Sequence, residues 1–103
     1  MNHGVEWDDG NWPKCGKHGV SKENIEFVLR DALVAPDLRH SHVEDRFIAV
    51  GADPDGRPVF VGFTFRSIGA EIVIRPLTAR YMHKKEAQRY VSQSSPHDDR
   101  QGT

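Results

Sequence analysis

Residues 75 to 90 read RPLTARYMHKKEAQRY, with five cations (Arg75, Arg80, Lys84, Lys85 and Arg89) against one carboxylate, Glu86. A cluster of this kind can hold a polyanion. Arginine suits the task best, because its planar fork binds two oxygens at once and stays charged. Its high basicity also makes it a poor proton carrier, a role that falls to histidine, a perturbed lysine or tyrosine. The chain has six histidines. His18 follows Lys17 in KHG, His83 lies within the basic run, and His40 and His42 form the pair HSH. That pair could point to a metal, but no cysteine cluster or set of spaced carboxylates accompanies it. A loop is the stronger reading, and no cofactor is expected.

The charge is lopsided. Residues 1–56 carry 6 Lys and Arg against 11 Asp and Glu, whereas residues 57–91 carry 7 against 2, within a net charge of −1. A basic half suggests a polyanion-binding face; dispersal of the same charges over a solvated surface is the plainer alternative. The 103 residues, 28% charged and 37% hydrophobic, fit one small water-soluble domain. No apolar run approaches the roughly 20 residues that cross a bilayer. The start, MNHGVEWDDG, lacks the basic-then-apolar pattern of a signal peptide. The single cysteine, Cys15, can form neither an internal disulfide nor a zinc site alone. A cytoplasmic location is expected.

These residues need elements to position them. NWPKCGKHG can form a short helix, with Asn11 as its N-cap and Gly19 as its stop. VSKENIEFVLRDAL is a clearer helix: Ser21 caps it, Glu23 sits in the first turn, and Ile25, Val28 and Leu29 make one apolar stripe. ALVAP reads as a short edge strand ending at Pro36, LRHSHVED as a loop, and RFIAVGA as a strand. DPDGRP is a turn, VFVGFTFRS a strong strand, IGA a tight connection and EIVIRPL the last strand. The result is an antiparallel meander. Val59, Val61, Phe63 and Phe65 share its apolar face. Phe60, Gly62, Thr64 and Arg66 share a mixed face that could hold a ligand. Met82 to Ser92 is helical again. The domain is expected to span 1–92, with 93–103 a disordered polar tail.

The motifs VEWDD, KHGVS, DRFIAVG, DGRPVFVGFT and IRPLTARYMHKKEAQRY, in that order from Val5 to Tyr90, resemble the BrnT toxins. The resemblance implies an α+β domain of the RelE-like fold: a twisted antiparallel sheet of about four strands, packed by N-terminal helices and a C-terminal helix. It also implies the toxin of a type II toxin–antitoxin system, a metal-independent endoribonuclease that cuts RNA and arrests translation. Its implied partner is a DNA-binding antitoxin of the BrnA type, without which the toxin is not expected to bind DNA. This chain departs from the common pattern before KHG, where Gly10, Pro13 and Gly16 interrupt a segment that is frequently helical.

Metal-free cleavage uses the ribose 2′-OH as nucleophile, with cations on the phosphate and proton carriers on either side. Arg75, in the family block, is the first choice for phosphate, with Arg80 beside it and Arg46 assisting. His18 or Lys17 is the expected proton carrier, with His83 competing. Arg66, Tyr81, His83, Lys84 and Lys85 are expected to touch RNA. Six of them have a plainer alternative: an exposed strand-end cation for Arg75, an ion pair for Arg46, a solvated position for Arg66, a helix-end role for Lys17 and His18, and the core for Tyr81. Two rival classes stand beside the enzyme. One is a module that binds antitoxin or RNA without cutting. The other is a DNA-binding regulator, disfavoured because no helix-turn-helix or basic ribbon is visible.

Overall fold

The computed structural model describes residues 3–39 and 45–94. His40, His42 and the tail beyond Ser94 lie outside the described residues. Helix α1 (Lys22–Asp31) is followed by strands β1 (Leu33–Pro36), β2 (Phe47–Ala52), β3 (Pro58–Ile68) and β4 (Glu71–Tyr81), then helix α2 (Lys84–Ser94). The strands form one antiparallel sheet in chain order, and the whole is the α+β arrangement expected.

Each element follows from local chemistry. Ser21 Oγ accepts the Asn24 backbone N–H at 3.1 Å, capping α1 as the sequence predicts. The stripe of Ile25, Val28 and Leu29 is buried against the sheet. Opposite it, a Cβ on Gly51 would stand 3.2 Å from Val28 Cγ1, so the missing side chain lets helix and strand approach closely. The β2–β3 turn is organised by Asp53, whose Oδ1 accepts the N–H groups of Asp55 and Arg57 at 2.9 Å each. Gly69, at φ +60°, starts the two-residue β3–β4 turn. The core lies between α1 and one sheet face: Ile25, Leu29, Ala49, Val59, Val61, Phe63 and Ile74, with Cys15 and Val20.

Three local expectations change. The segment NWPKCGKHG makes only one turn of 3-10 helix, Lys14–Gly16, so among the described residues there is a single N-terminal α-helix. Asn11 does not cap it. Its buried side chain accepts Asp8 N–H at 2.8 Å and donates to the carbonyls of Glu6 (2.9 Å) and Pro76 (3.0 Å). It thus pins the N-terminal segment to β4, beside the bridge between Val5 and Ile74. The last strand does not stop near Leu77 but runs on to Tyr81. Gly62 pairs with Thr78 and Phe63 with Pro76, so Leu77 is an extra residue, a β-bulge.

That bulge decides where the arginines go. Side chains alternate along a strand, so residues 75 and 80 would ordinarily face opposite ways. The extra residue resets the alternation. Arg75 pairs with Thr64 and Arg80 with Phe60, and both partners lie on the mixed face of β3.

Candidate active site on the open sheet face

Helix α2 lies over the end of the mixed face nearest β1 and β3. Glu86 and Tyr90, four residues apart and so on one side of the helix, point at the sheet. Tyr90 meets the Phe60 ring edge-on at 6.3 Å. Glu86 takes Arg80 in a two-pronged pair, with Nη1–Oε1 at 3.0 Å and Nη2–Oε2 at 2.8 Å. The Arg80 guanidinium also stacks over Phe60, 4.6 Å from the ring centre. Arg80 is thus held flat against an aromatic ring by a carboxylate, with 39% of its side chain still exposed. The hydrogen bonds from Arg80 hold the Glu86 carboxyl below its ordinary pKa, and Glu86 in turn raises that of Arg80.

Two cavities open beside this pair. One, about 380 Å³, is lined among the described residues by Pro36, Asp37, Leu38, Arg39, Ile48, Phe60, Arg80 and Tyr90. The other, about 170 Å³, has Asp37, Arg46, Phe47, Phe60, Gly62, Leu77 and Thr78 around it. Asp37 and Phe60 belong to both, so the two form one groove with a shared wall. Asp37 N–H donates to the Arg46 carbonyl at 2.8 Å, which ties the end of β1 to the approach to β2.

Arg75 lies elsewhere. Its guanidinium donates to Asp8 through Nη1 (2.9 Å) and Nη2 (3.0 Å), and to Glu6 Oε1 at 3.0 Å. Arg66 reaches the same Glu6 oxygen at 3.3 Å. Hydrogen bonds from Arg75 and from the Gly10 N–H hold the Asp8 carboxyl below the usual range. The pairing partners of Arg75 and Arg80 are four residues apart on β3, about 13 Å. With each arginine bound to its own carboxylate, they are not poised on one phosphate.

The remaining predicted residues divide in the same way. Arg46 lines the smaller cavity. Tyr81 packs against the core, and its hydroxyl accepts a hydrogen bond from Arg57 Nη2 at 2.6 Å. Lys17 and His18 are exposed and follow the 3-10 turn, whose Cys15 is buried in the core on the α1 side of the sheet. Burial pushes the Cys15 thiol pKa up. His83 is exposed and precedes α2, while Lys84 and Lys85 are exposed in its first turn. Cations there oppose the helix dipole. Among the described residues, no group of three or more His, Cys, Asp or Glu could hold a metal ion.

Sequence reasoning missed Asp37, which it left between the edge strand and the loop, Arg39, which it read as part of that loop, and the role of Tyr90. The signal was a Pro–Asp step after a strand, where aspartate commonly bonds the backbone two residues on. Asp37 Oδ1 does accept the Arg39 N–H, at 3.2 Å.

Together these features define a small α+β domain whose sheet is packed by a helix on one face and carries an arginine- and aromatic-lined groove on the other. A family model described as the ribonuclease toxin BrnT of a type II toxin–antitoxin system matches residues 7–86. The chain belongs to that family of ribonuclease toxins, and membership implies an RNA target and an antitoxin partner. No curated protein matches the chain. Among the described residues, no helix is long and apolar enough to cross a membrane.

Proposed function

We propose that the chain is a metal-independent endoribonuclease, acting in the cytoplasm to cut RNA and arrest translation, and that the open-face groove is its active site. The observation that carries this reading is Arg80, stacked on Phe60 in a groove that Arg39 and Arg46 also line. An aromatic ring beside a fixed cation suits a base next to its phosphate. In this reading the ribose 2′-OH attacks the adjacent phosphorus and gives its proton to water, and the P–O5′ bond breaks to leave a 2′,3′-cyclic phosphate. Arg80, its guanidinium shared with Glu86, holds the non-bridging oxygens, where negative charge accumulates in the transition state. Arg46 and Arg39 steady the flanking backbone. The Tyr90 phenol, in the same cavity as Arg80, donates a proton to the departing 5′-oxygen.

The sequence-based ranking changes accordingly. Arg75 becomes the clamp of the N-terminal segment rather than the first phosphate ligand. Lys17 and His18, across the sheet from Arg80, pass from proton carriers to outer contacts. Lys84 and Lys85, with His83 beside them, extend the cationic path beyond the groove. They also offer an acidic segment of a BrnA-type antitoxin a surface that covers Arg80.

The test is incubation of the purified chain with bacterial RNA in excess EDTA, beside Arg80→Ala and Arg75→Ala. Cleavage by wild type and Arg75→Ala, with loss in a folded Arg80→Ala, is the expected result. Cleavage that survives in Arg80→Ala would remove the groove from the reaction. One observation favours the alternative of a binding module without cleavage: Arg75 and Arg80 are both neutralised by carboxylates of the same chain. Growth arrest on induction would decide against it.

A further inference from the structure

We propose that the corner between Trp7 and Trp12 is a docking pocket for an arginine side chain of a protein partner. The corner lies on the α1 side of the sheet, so the inference is independent of the reading of the groove.

The walls of this pocket are aromatic and already fixed. Its volume is about 250 Å³, lined by Trp7, Asp8, Asp9, Trp12 and Lys22. That falls below the roughly 300 Å³ at which pockets for drug-sized ligands begin. The two indole rings meet edge-on, 5.3 Å apart at 78°. Trp7 Nε1 donates to Glu26 Oε2 at 2.7 Å, which ties its ring to α1. Trp12 lies so close to Gly16 that a Cβ there would stand 2.6 Å from its Cη2. Both tryptophans are half-buried and pack against the core on one side, while lining the cavity on the other.

In the resting chain the corner holds a cation. Lys22 Nζ lies 5.2 Å from the Trp12 ring centre and 5.8 Å from that of Trp7. Indole faces carry the negative side of a quadrupole and attract such groups. Yet Lys22 is a poorly suited occupant. It stands at the first position of α1, where the helix dipole opposes positive charge. The usual partner for a lysine lies one turn on, and here Glu26 is engaged by Trp7. A lysine ammonium is also strongly hydrated, on a flexible stem that can swing into solvent. A guanidinium is planar, more weakly hydrated, and stacks on aromatic faces. Its fork also matches a carboxylate. Asp8 is already taken by Arg75 at 2.9 and 3.0 Å. Asp9, exposed on the same rim, has no hydrogen bond or ion pair among the described residues. Residues 1–12 carry three carboxylates and no lysine or arginine. This rim repels a phosphate, whereas an arginine finds both a ring to stack on and an acid for its fork. Arginine and tryptophan are also the residue types that most often anchor protein interfaces.

Trp7 and Trp12 are the two tryptophans of the chain, so tryptophan emission reads this corner alone. The full chain is titrated with the capped peptide acetyl-Gly-Arg-Gly-amide, and with the same peptide carrying citrulline, the neutral isostere of arginine. The cation–π and exposed ion-pair contributions predict about three- to thirtyfold tighter binding of the arginine peptide. Asp9→Asn should weaken that binding about two- to fivefold and leave the citrulline peptide unaffected. Lys22→Met should tighten it about threefold, because a competing charge is gone, at an unchanged melting temperature. Equal binding of the two peptides, or arginine binding that Asp9→Asn leaves whole, overturns the pocket. Free L-arginine binding tighter than the capped peptide, or displacement of the peptide by an RNA pentanucleotide, would also overturn it, by assigning the corner to a small molecule or to RNA.

Discussion

Substitution of Glu86 by Gln tests the groove most directly, because it alters the charge facing Arg80 without touching Arg80 itself. In the resting chain the guanidinium is neutralised by Glu86 at 2.8 and 3.0 Å. An RNA phosphate at Arg80 would share that guanidinium with the Glu86 carboxylate, two like charges about 6 Å apart. Their repulsion is about 0.7 kcal/mol in bulk water and about 2.8 kcal/mol at an effective dielectric of about 20. Screening at physiological salt roughly halves both figures. Glu86→Gln should therefore tighten binding of a non-cleavable RNA about two- to tenfold, with the larger gain at low salt. The side chains of Arg80 and Glu86 are 39% and 31% exposed, so losing the pair costs about 1 kcal/mol or less despite its geometry. The melting temperature should fall by no more than about 4–8 °C. Anisotropy titrations at two salt concentrations, with Arg80→Ala as the baseline, measure the effect. A folded Glu86→Gln protein that binds RNA no tighter than wild type at low salt would refute the placement of phosphate at Arg80.

Three further outcomes follow from the same geometry. Stability should fall in acid. The pKa values of Asp8, Glu86 and Asp53 are lowered in the folded chain. For Asp8 and Glu86 the cause is first the hydrogen bonds from Arg75 and Arg80; at Asp53 burial pushes upward but is outweighed by the N–H groups of Arg57 and Asp55 and the Arg57 charge. Lowered pKa values stabilise fully above the unfolded values near 4 and lose that stabilisation as pH falls through the folded ones. Melting temperature should be flat from about pH 7 to 5 and drop below about pH 4. Asp53→Asn should soften that drop, and an unchanged acid slope would count against the assignment. Arg75→Ala should leave RNA cleavage intact while making residues 3–11 more sensitive to protease, because the anchor of Asp8 and Glu6 is gone; lost cleavage at unchanged melting would move the phosphate site to Arg75. Gly62→Ala puts a Cβ 2.9 Å from Thr78 Cγ2 and should cost about 1–3 kcal/mol in chemical denaturation. Adding Thr78→Ser, which deletes that methyl group, should recover most of the loss.

The legible parts of the fold are those where neighbouring residues carry the signal. Ser21, Glu23 and the Ile25–Val28–Leu29 stripe predict α1, and the structure places all of them as expected. The alternation of Val59, Val61 and Phe63 against Phe60, Gly62 and Thr64 separates a core face from an open one. The three core residues are fully buried, and the groove opens where Phe60 and Gly62 lie. Asn11 misled because an asparagine before a turn looks like a cap, whereas its partners are carbonyls of Glu6 and of Pro76, the latter 65 residues away.

What the sequence determined by itself was therefore the set of elements, the half-polar sheet and the stock of cations, all consequences of short-range periodicity and composition. It also carried the family motifs. Which cations belong together was decided only by tertiary structure. Nothing in IRPLTARY shows that Leu77 is a bulge, because a bulge is a mismatch between two strands and exists only once they pair. That single extra residue brings Arg80 onto the face of Phe60, while the carboxylates of the N-terminal segment draw Arg75 away. Asp37 and Arg46, nine positions apart, meet for the same reason: strand pairing brings the chain back on itself, and side chains become neighbours through register rather than spacing.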